Sequence, residues 1–433
     1  MRYVIPGSSA FADKRIAVLG LGVSGKACVT ALTSVTQAVV SVWDAKETAI
    51  NPYLDDVRVD LAISAAKPEI LMQMLLDWQP DIVIIAPGFP QMGYEWTVLR
   101  EAGVPVWSEI ELAWHLRAAD EQNTVAPWLC VTGTNGKTTT VSILAKILAA
   151  AGCGTVATGN IGKPLITEVI RTDENAPQAF AIELSSFQLA ATYSMAPTAA
   201  VCLNIDDDHL EWHGNRAEYW AAKAKIYEHV QTACLYPVGD REVQRMVDEA
   251  DVQEGARAIG LNIGTPSVGE FGLVEDIIVD RAFHKNRFSA AQEVFTVADI
   301  AHLAPRESSL PLHLLKDAIA AAALARAVGV APQFIRSALR DFTSGKHRIE
   351  FVGSYAGMNW IDDSKATNAH AAKSSILAQE KTIQFGLSAG LRKGQDLKSL
   401  PRQSKTESIM PLLLGPTKRH GLMLLNKARF AIV

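Results

Sequence analysis

Short apolar runs rich in β-branched residues alternate with stretches of helical periodicity along most of the chain. Arg15–Leu19 reads as a strand, Gly25–Leu32 as a helix and Ala38–Trp43 as a second strand. Asp81–Ala86 reads as a further strand and Glu109–Arg117 as a helix. Such alternation predicts an α/β fold, a parallel sheet with helices on its faces. The polar run Ala119–Thr124 reads as a linker, and the pattern then restarts. Trp128–Val131, Ala179–Leu184 and Ala199–Leu203 read as strands, Lys137–Ala151 and the alanine-rich Asp317–Val328 as helices. From Gly255 to Pro311, Gly, Asp and short β-branched runs mix, and the stretch reads as an insertion or a smaller sheet. Thr343–Arg348 reads as another boundary. The segment from Ile349 starts as α/β and turns irregular and basic after Leu400.

A chain of 433 residues exceeds one typical core and predicts two to four domains. With 48% hydrophobic and 20% charged residues and a net charge of −5, there is no global basic field to hold nucleic acid. An anionic ligand must be held by helix N-termini, a few Lys and Arg, or a metal ion. Cys28, Cys130, Cys153, Cys202 and Cys234 form no CxxC pair and lie mostly in apolar runs, which predicts free thiols in a reducing compartment. The N-terminus lacks a signal-type apolar segment, and no apolar stretch reaches the ~18 residues of a membrane span. A cytoplasmic protein is expected.

The run Thr132-Gly-Thr-Asn-Gly-Lys-Thr-Thr139 follows an apolar strand and opens a helix. That order suits a triphosphate: glycines let backbone N–H groups turn toward phosphate oxygens, and the helix N-terminus adds positive potential. Gly133, Thr134, Asn135, Gly136, Lys137, Thr138 and Thr139 are the predicted ATP-binding residues, with Lys137 on the β/γ phosphates and the Thr138 hydroxyl on Mg²⁺. Val131 stands where the first glycine of a full GxxxxGK[ST] would fall. Earlier in the chain, Gly20-Leu-Gly-Val-Ser-Gly25 is a complete GxGxxG between strand and helix, and Asp44 closes the next strand. The pattern fits NAD, but any nucleotide diphosphate satisfies the same geometry.

Glu183 ends an apolar strand, His209 lies in Asn204-Ile-Asp-Asp-Asp-His209 just after another, and Lys223 lies in Tyr219-Trp-Ala-Ala-Lys223. Ligands of an open parallel sheet gather outside the C-terminal strand ends, so Glu183, His209 and the phosphate loop are expected to converge there. A carboxylate buried on an apolar strand is costly without a partner, which favours a functional Glu183. Spacing alone leaves His209 open between ligand and capping residue, and does not separate Lys223 from Lys225.

These motifs resemble the Mur ligases of peptidoglycan synthesis. The phosphate loop is shared with several of them and with folylpolyglutamate synthetases. Leu19–Gly25, Ala86-Pro-Gly88, Ser108-Glu-Ile-Glu-Leu112, Gly159-Asn-Ile-Gly162, Glu183–Leu189 and Asp362-Asp-Ser-Lys-Ala-Thr-Asn368 are similar to the branch that adds D-glutamate. The resemblance spans about residues 15 to 400 and implies three domains: a Rossmann-like N-terminal domain (1–122) for a UDP substrate, a central P-loop ATPase-type parallel sheet (123–345), and a Rossmann-like C-terminal domain (346–433) for the amino acid. The implied reaction is ATP-dependent ligation of D-glutamate to UDP-N-acetylmuramoyl-L-alanine by a monomer, with two Mg²⁺ ions. Gly22, Val23, Ser24, Gly25, Asp44 and Asn160 match UDP-substrate positions. Lys137, Glu183, His209 and Lys223 match catalytic ones, with Thr138, Glu183, His209 and a carbamylated Lys223 as metal ligands. Arg348 and Asp363 match ATP contacts, and Lys365, Thr367 and Lys393 match D-glutamate contacts.

Two departures stand out. The family has His-Asn-x-x-Asn before the alanine-rich helix, with Asn on adenine. Here His313-Leu-Leu-Lys-Asp317 leaves Asp317 as the acceptor for the adenine amino group. After Leu400 the family's Ser-Pro-Ala…Ser…Asp…Phe segment has no counterpart, so the C-terminal domain reads as shortened, through a frameshift or erosion. The rival readings are another ligase of the superfamily, a nucleotide-binding protein without activity, and a Rossmann dehydrogenase, which would not explain Lys137.

Overall fold

The computed structural model describes residues 3–304, 310–343, 345, 350–355, 358–362, 364, 384–389 and 409–414. The expected contacts Arg348, Asp363, Lys365, Thr367 and Lys393 lie outside the described residues.

The first apolar runs form a sheet of β1 (Arg15–Leu19), β2 (Val39–Asp44), β3 (Leu61–Ser64), β4 (Ile82–Ile85) and β5 (Val106–Trp107). Its order is β3-β2-β1-β4-β5, parallel throughout. Ile16–Leu19 of β1 are buried without exception, as a strand covered on both faces requires. The chain winds outward to β3 and then returns to β4 beside β1. The crevice at that reversal lies between the loop after β1 and the loop after β4.

The second sheet has nine strands in the order β14-β13-β12-β11-β10-β9-β6-β8-β7. They are β6 (Trp128–Thr132), β7 (Thr155–Gly159), β8 (Ala179–Glu183), β9 (Ala199–Cys202), β10 (Ala233–Pro237), β11 (Arg257–Leu261), β12 (Glu270–Val274), β13 (Ile277–Asp280) and β14 (Gln292–Thr296). Strands β7 to β12 run parallel, while β13 and β14 are added antiparallel. The stretch from Gly255 to Pro311 is therefore neither an insertion nor a smaller sheet. Its strands extend the central sheet, which its local sequence, short of alternation, did not reveal. Helix Lys137–Ala150 packs beside helix Leu312–Ala327, whose alanines from Ala318 to Ala325 are buried.

Further on, β15 (Glu350–Tyr355) and β16 (Met358–Asp362) pair antiparallel, and β17 (Gln384–Ala389) pairs parallel with β18 (Ile409–Leu414). Strand β18 falls within the stretch that reads as irregular. Cys28, Cys130, Cys202 and Cys234 are buried and free, and Cys153 is free and half-buried. Among the described residues, no helix is long and apolar enough to cross a membrane.

Helix Glu109–His115 joins the two sheets. Ile110, Leu112 and Ala113 lie in one apolar cluster with Ile16, Val18 and Leu32 on one side and Trp128, Leu165 and Phe180 on the other. Two buried carboxylates on this helix reach across. Glu109 Oε1 accepts from Ile166 N at 2.7 Å. Glu111 accepts from Tyr193 N at 2.8 Å and from the Ser194 hydroxyl at 2.6 Å. Ser108 caps the helix and meets the Thr192 hydroxyl at 2.8 Å.

Burial pushes the Glu109 carboxyl up to about 7, against the opposing pull of its bonds to Ile166, Gln188 and Leu165. Between 4.5 and about 7 the folded chain keeps a proton there that the unfolded chain has lost. Stability from this group is present below that window and is lost as pH rises through it. Glu109→Gln cannot titrate. Its melting temperature relative to the unaltered chain is expected to climb across that window and level off outside it. A pH-independent difference in thermal melts would contradict the assignment.

Candidate active site at the strand ends of the central sheet

The phosphate loop leaves β6 at Thr132, whose hydroxyl donates to Leu184 O at 2.8 Å. Gly136 sits at φ +85 as the residue before helix Lys137–Ala150. A side chain there would run into the Asp317 carboxylate and Leu203, so glycine is required for conformation and for space. Asp317, expected at adenine, thus stands buried beside the phosphate loop. Lys137 Nζ donates to Gly133 O at 2.9 Å and Thr134 O at 3.1 Å, arched over the loop.

Glu183 is 2% exposed at the end of β8, and both its oxygens are engaged. The Thr138 hydroxyl donates to Oε2 at 2.8 Å and Asn160 Nδ2 donates to Oε1 at 2.9 Å. Asn160 is held in turn by its own N–H on Glu183 O at 2.8 Å. Gly159, at φ +100, passes so close to that carbonyl that a Cβ would collide with it. The expected UDP-side residue Asn160 therefore reaches the same carboxylate as the phosphate loop.

The structure separates the two lysines that spacing could not. Lys223, 2% exposed, points its Nζ at Gly133 O (2.9 Å) and the Thr132 hydroxyl (3.3 Å). Lys225 turns away to Ala190 O at 2.7 Å, over the Tyr193 ring. Burial pushes the Lys223 ammonium down to about 7, and the Lys137 charge adds to the effect. His209 takes a left-handed backbone at φ +53. It stacks at a tilt on Phe187 at 4.7 Å, with Nε2 at 3.6 Å from Asp208 Oδ2.

Among the described residues, no three His, Cys, Asp or Glu side chains gather as a metal centre. The hydroxyl of Thr138 and the carboxylate of Glu183 are instead a pair of hard oxygen donors beside the phosphate loop. Mg²⁺ takes one or two carboxylates and completes its shell with substrate phosphates and water, and the donor set fits that mode.

In the first sheet, Gly22 precedes helix Val23–Val35, Gly25 is buried in its first turn and Val23 is exposed. Asp44 Oδ2 accepts from Leu21 N at 2.7 Å and Oδ1 from Lys46 N at 2.9 Å, bracing the glycine loop. Ser24 lines a small cavity with Ala86, Pro87, Glu109 and Trp212.

Sequence reasoning missed three residues. Asn204 clamps the phosphate loop: its Oδ1 accepts from Thr134 N at 3.0 Å and Asn135 N at 2.9 Å. Its position just past β9 was the available signal, since that strand neighbours β6. The Tyr219 hydroxyl meets that of Thr134 at 3.0 Å. His213 is fully buried and stays neutral, because burial, then the Lys223 and His209 charges, push it down to about 4. No local signal marked either of these two.

Residues 131–325 match the Mur ligase middle domain. A UDP-N-acetylmuramoylalanine–D-glutamate ligase of Streptomyces coelicolor is 41% identical over 391 residues, 89% of this chain and 79% of that protein. The enzyme of that name from Leifsonia xyli is 40% identical over 414 residues, 93% of this chain and 78% of its own. Among solved structures, a MurF ligase from Thermotoga maritima in complex with ADP aligns at a TM-score of 0.47 and 15% identity, covering 90% of this chain and 77% of that one. Identity near 40% across most of both chains reflects common descent, and the chain belongs to the Mur ligase family, with UDP-N-acetylmuramoylalanine–D-glutamate ligases as its near relatives.

Proposed function

We propose that the protein joins D-glutamate to UDP-N-acetylmuramoyl-L-alanine at the expense of ATP, as a cytoplasmic monomer serving peptidoglycan synthesis. The names of the relatives, UDP-N-acetylmuramoylalanine–D-glutamate ligases, support the substrates. The observation that carries the chemistry is the Thr138–Glu183 contact at 2.8 Å, made by the residue that follows Lys137 in the phosphate loop. We assign residues 1–122 to the UDP substrate, 123–345 to ATP and 346–433 to the amino acid.

A carboxylate is a poor electrophile at neutral pH. In the proposed reaction an alanyl carboxylate oxygen attacks the γ-phosphorus of ATP, and the bond to the β-phosphate oxygen breaks, releasing ADP. The D-glutamate amine, having shed a proton to solvent, attacks the carbonyl carbon of the acyl phosphate. Phosphate leaves with the former carboxylate oxygen, and the nitrogen gives up its extra proton to water. No protein nucleophile is needed, and catalysis is positioning plus charge stabilisation.

Lys137 would face the γ-phosphate oxygens, placing a fixed cation where negative charge is transferred. Thr138 and Glu183 would hold one Mg²⁺, and His209 with Lys223 a second. Bound Mg²⁺ supplies charge neutralisation on the phosphate oxygens. Lys223 suits this only as an anion. A buried amine with its ammonium pushed down to about 7 has a neutral fraction near neutral pH. It can add to CO₂, forming an N–C bond and releasing a proton, which turns Lys223 into a carbamate with oxygen donors. Asn204, Tyr219 and Asn160 keep the loop and Glu183 in place.

Lys137→Ala is expected to lower phosphate release by about 100- to 1,000-fold. In the unaltered protein that release should require UDP-N-acetylmuramoyl-L-alanine, D-glutamate and Mg²⁺ together. ATP binding without amide formation from any amino acid would overturn the ligase reading in favour of a binding protein. With ¹³C-bicarbonate, a carbamate resonance should appear in ¹³C spectra and vanish in Lys223→Gln. No such resonance in the unaltered protein would refute the carbamate.

A further inference from the structure

The short helical turn Leu210–His213, which follows His209, carries two side chains that cross to the first sheet. Trp212 Nε1–H donates to Pro87 O at 2.9 Å, and its ring meets Trp96 edge-on with centroids 6.3 Å apart. His213 places Nδ1 at 3.2 Å from Gln91 Oε1 and Nε2 at 2.9 Å from Ser186 Oγ. Pro87 and Gln91 both belong to the loop after β4, one lip of the crevice in the first sheet. Ser186 opens the short helix that follows Glu183, two residues past Leu184.

A neutral imidazole has one donor and one acceptor. Gln91 presents a carbonyl oxygen, so Nδ1 carries the proton and Nε2 accepts from the Ser186 hydroxyl. Both nitrogens of a fully buried ring are thus used, on partners 122 and 27 residues away in the chain. An apolar side chain would fill the same space without the cost of burying two polar atoms. The ring also meets Tyr219 at 5.4 Å, and the Tyr219 hydroxyl reaches Thr134 in the phosphate loop. Met92 closes the contact from the loop side, lying against Gly214, where a side chain would collide with it.

We propose that His213 is a positioning residue. Through Gln91 on one side, and Ser186 and Tyr219 on the other, it holds the lip of the UDP-substrate crevice at a set distance from Glu183 and the phosphate loop. Its consequence for turnover rests on the ligase reading above; the linkage itself does not. Acyl phosphate formation needs the substrate carboxylate and the γ-phosphate at near-attack distance, and a misplacement of about 1 Å costs roughly 100-fold. The two reactants would be presented by different sheets, and His213 is a polar tie between them.

The test uses the full chain with Gln91→Leu, which cuts the tie at a half-buried loop position, and His213→Gln. Steady-state kinetics and hydrogen–deuterium exchange of peptides covering residues 183–189 are measured in parallel. Each variant is expected to lower kcat at least about 10-fold, while KM for ATP and for the UDP substrate changes less than about 3-fold. The double variant should be no worse than the poorer single one, because both remove the same link. Exchange at 183–189 should quicken in Gln91→Leu although the altered residue lies on the other sheet. An unchanged kcat in Gln91→Leu, a rise in KM alone, or unmoved exchange would overturn the proposal. If the unaltered chain forms no amide, the ligase reading fails, and the exchange result still decides the tie: quickened exchange upholds it and unmoved exchange rejects it.

Discussion

The site depends on a carboxylate that is buried yet fully bonded. Glu183 is shielded from water at the end of an apolar strand, where an unmatched charge would cost several kcal/mol. Its two oxygens are met by Thr138 from the phosphate loop and Asn160 from the turn after β7. Three segments that are remote in sequence are thereby fixed at one point. The glycine at 159 is a direct result, since only a residue without a side chain lets that turn approach Glu183 O. The same point is where hard oxygen donors stand beside the phosphate loop.

A second constraint is the join between the sheets. Helix Glu109–His115 is counted by sequence with the first sheet, but its apolar face lies in a cluster shared with β6 and helix Leu165–Val169. Glu109 and Glu111 satisfy backbone N–H groups on the central side. Apolar burial gives the join its strength, and the directional bonds give it a single geometry. Trp212 and His213 repeat the arrangement in the opposite direction, reaching from the central side to the loop after β4.

Much of this was legible in the sequence, and the pattern of failures has physical causes. Strands buried on both faces, such as Arg15–Leu19 and Ala179–Glu183, stand out because burial demands continuous apolar character. The phosphate loop stands out because glycine, lysine and hydroxyl requirements fall at adjacent positions. Strand β3 (Leu-Ala-Ile-Ser) and strand β7 (Thr-Val-Ala-Thr-Gly) are not legible because they are partly exposed and carry polar residues. Strands β12 to β14 were visible as β-rich but not as part of the central sheet, since strand neighbours are set by long-range packing. Asn204, Tyr219 and His213 were missed because each acts on a partner distant in sequence. Conversely, spacing does not separate Lys223 from Lys225; the family resemblance singles out Lys223, and the structure distinguishes the two by burying Lys223 Nζ against Gly133 O.

In the proposed reaction the phosphate loop and Glu183 serve transfer of a phosphoryl group to a substrate carboxylate. Transfer of an oxygen isotope reports on that step. UDP-N-acetylmuramoyl-L-alanine labelled with ¹⁸O in the alanyl carboxylate is turned over with ATP and D-glutamate, and the released phosphate is analysed by mass spectrometry. One labelled oxygen should pass from carboxylate to phosphate for each amide formed. Amide formation with unlabelled phosphate would contradict it.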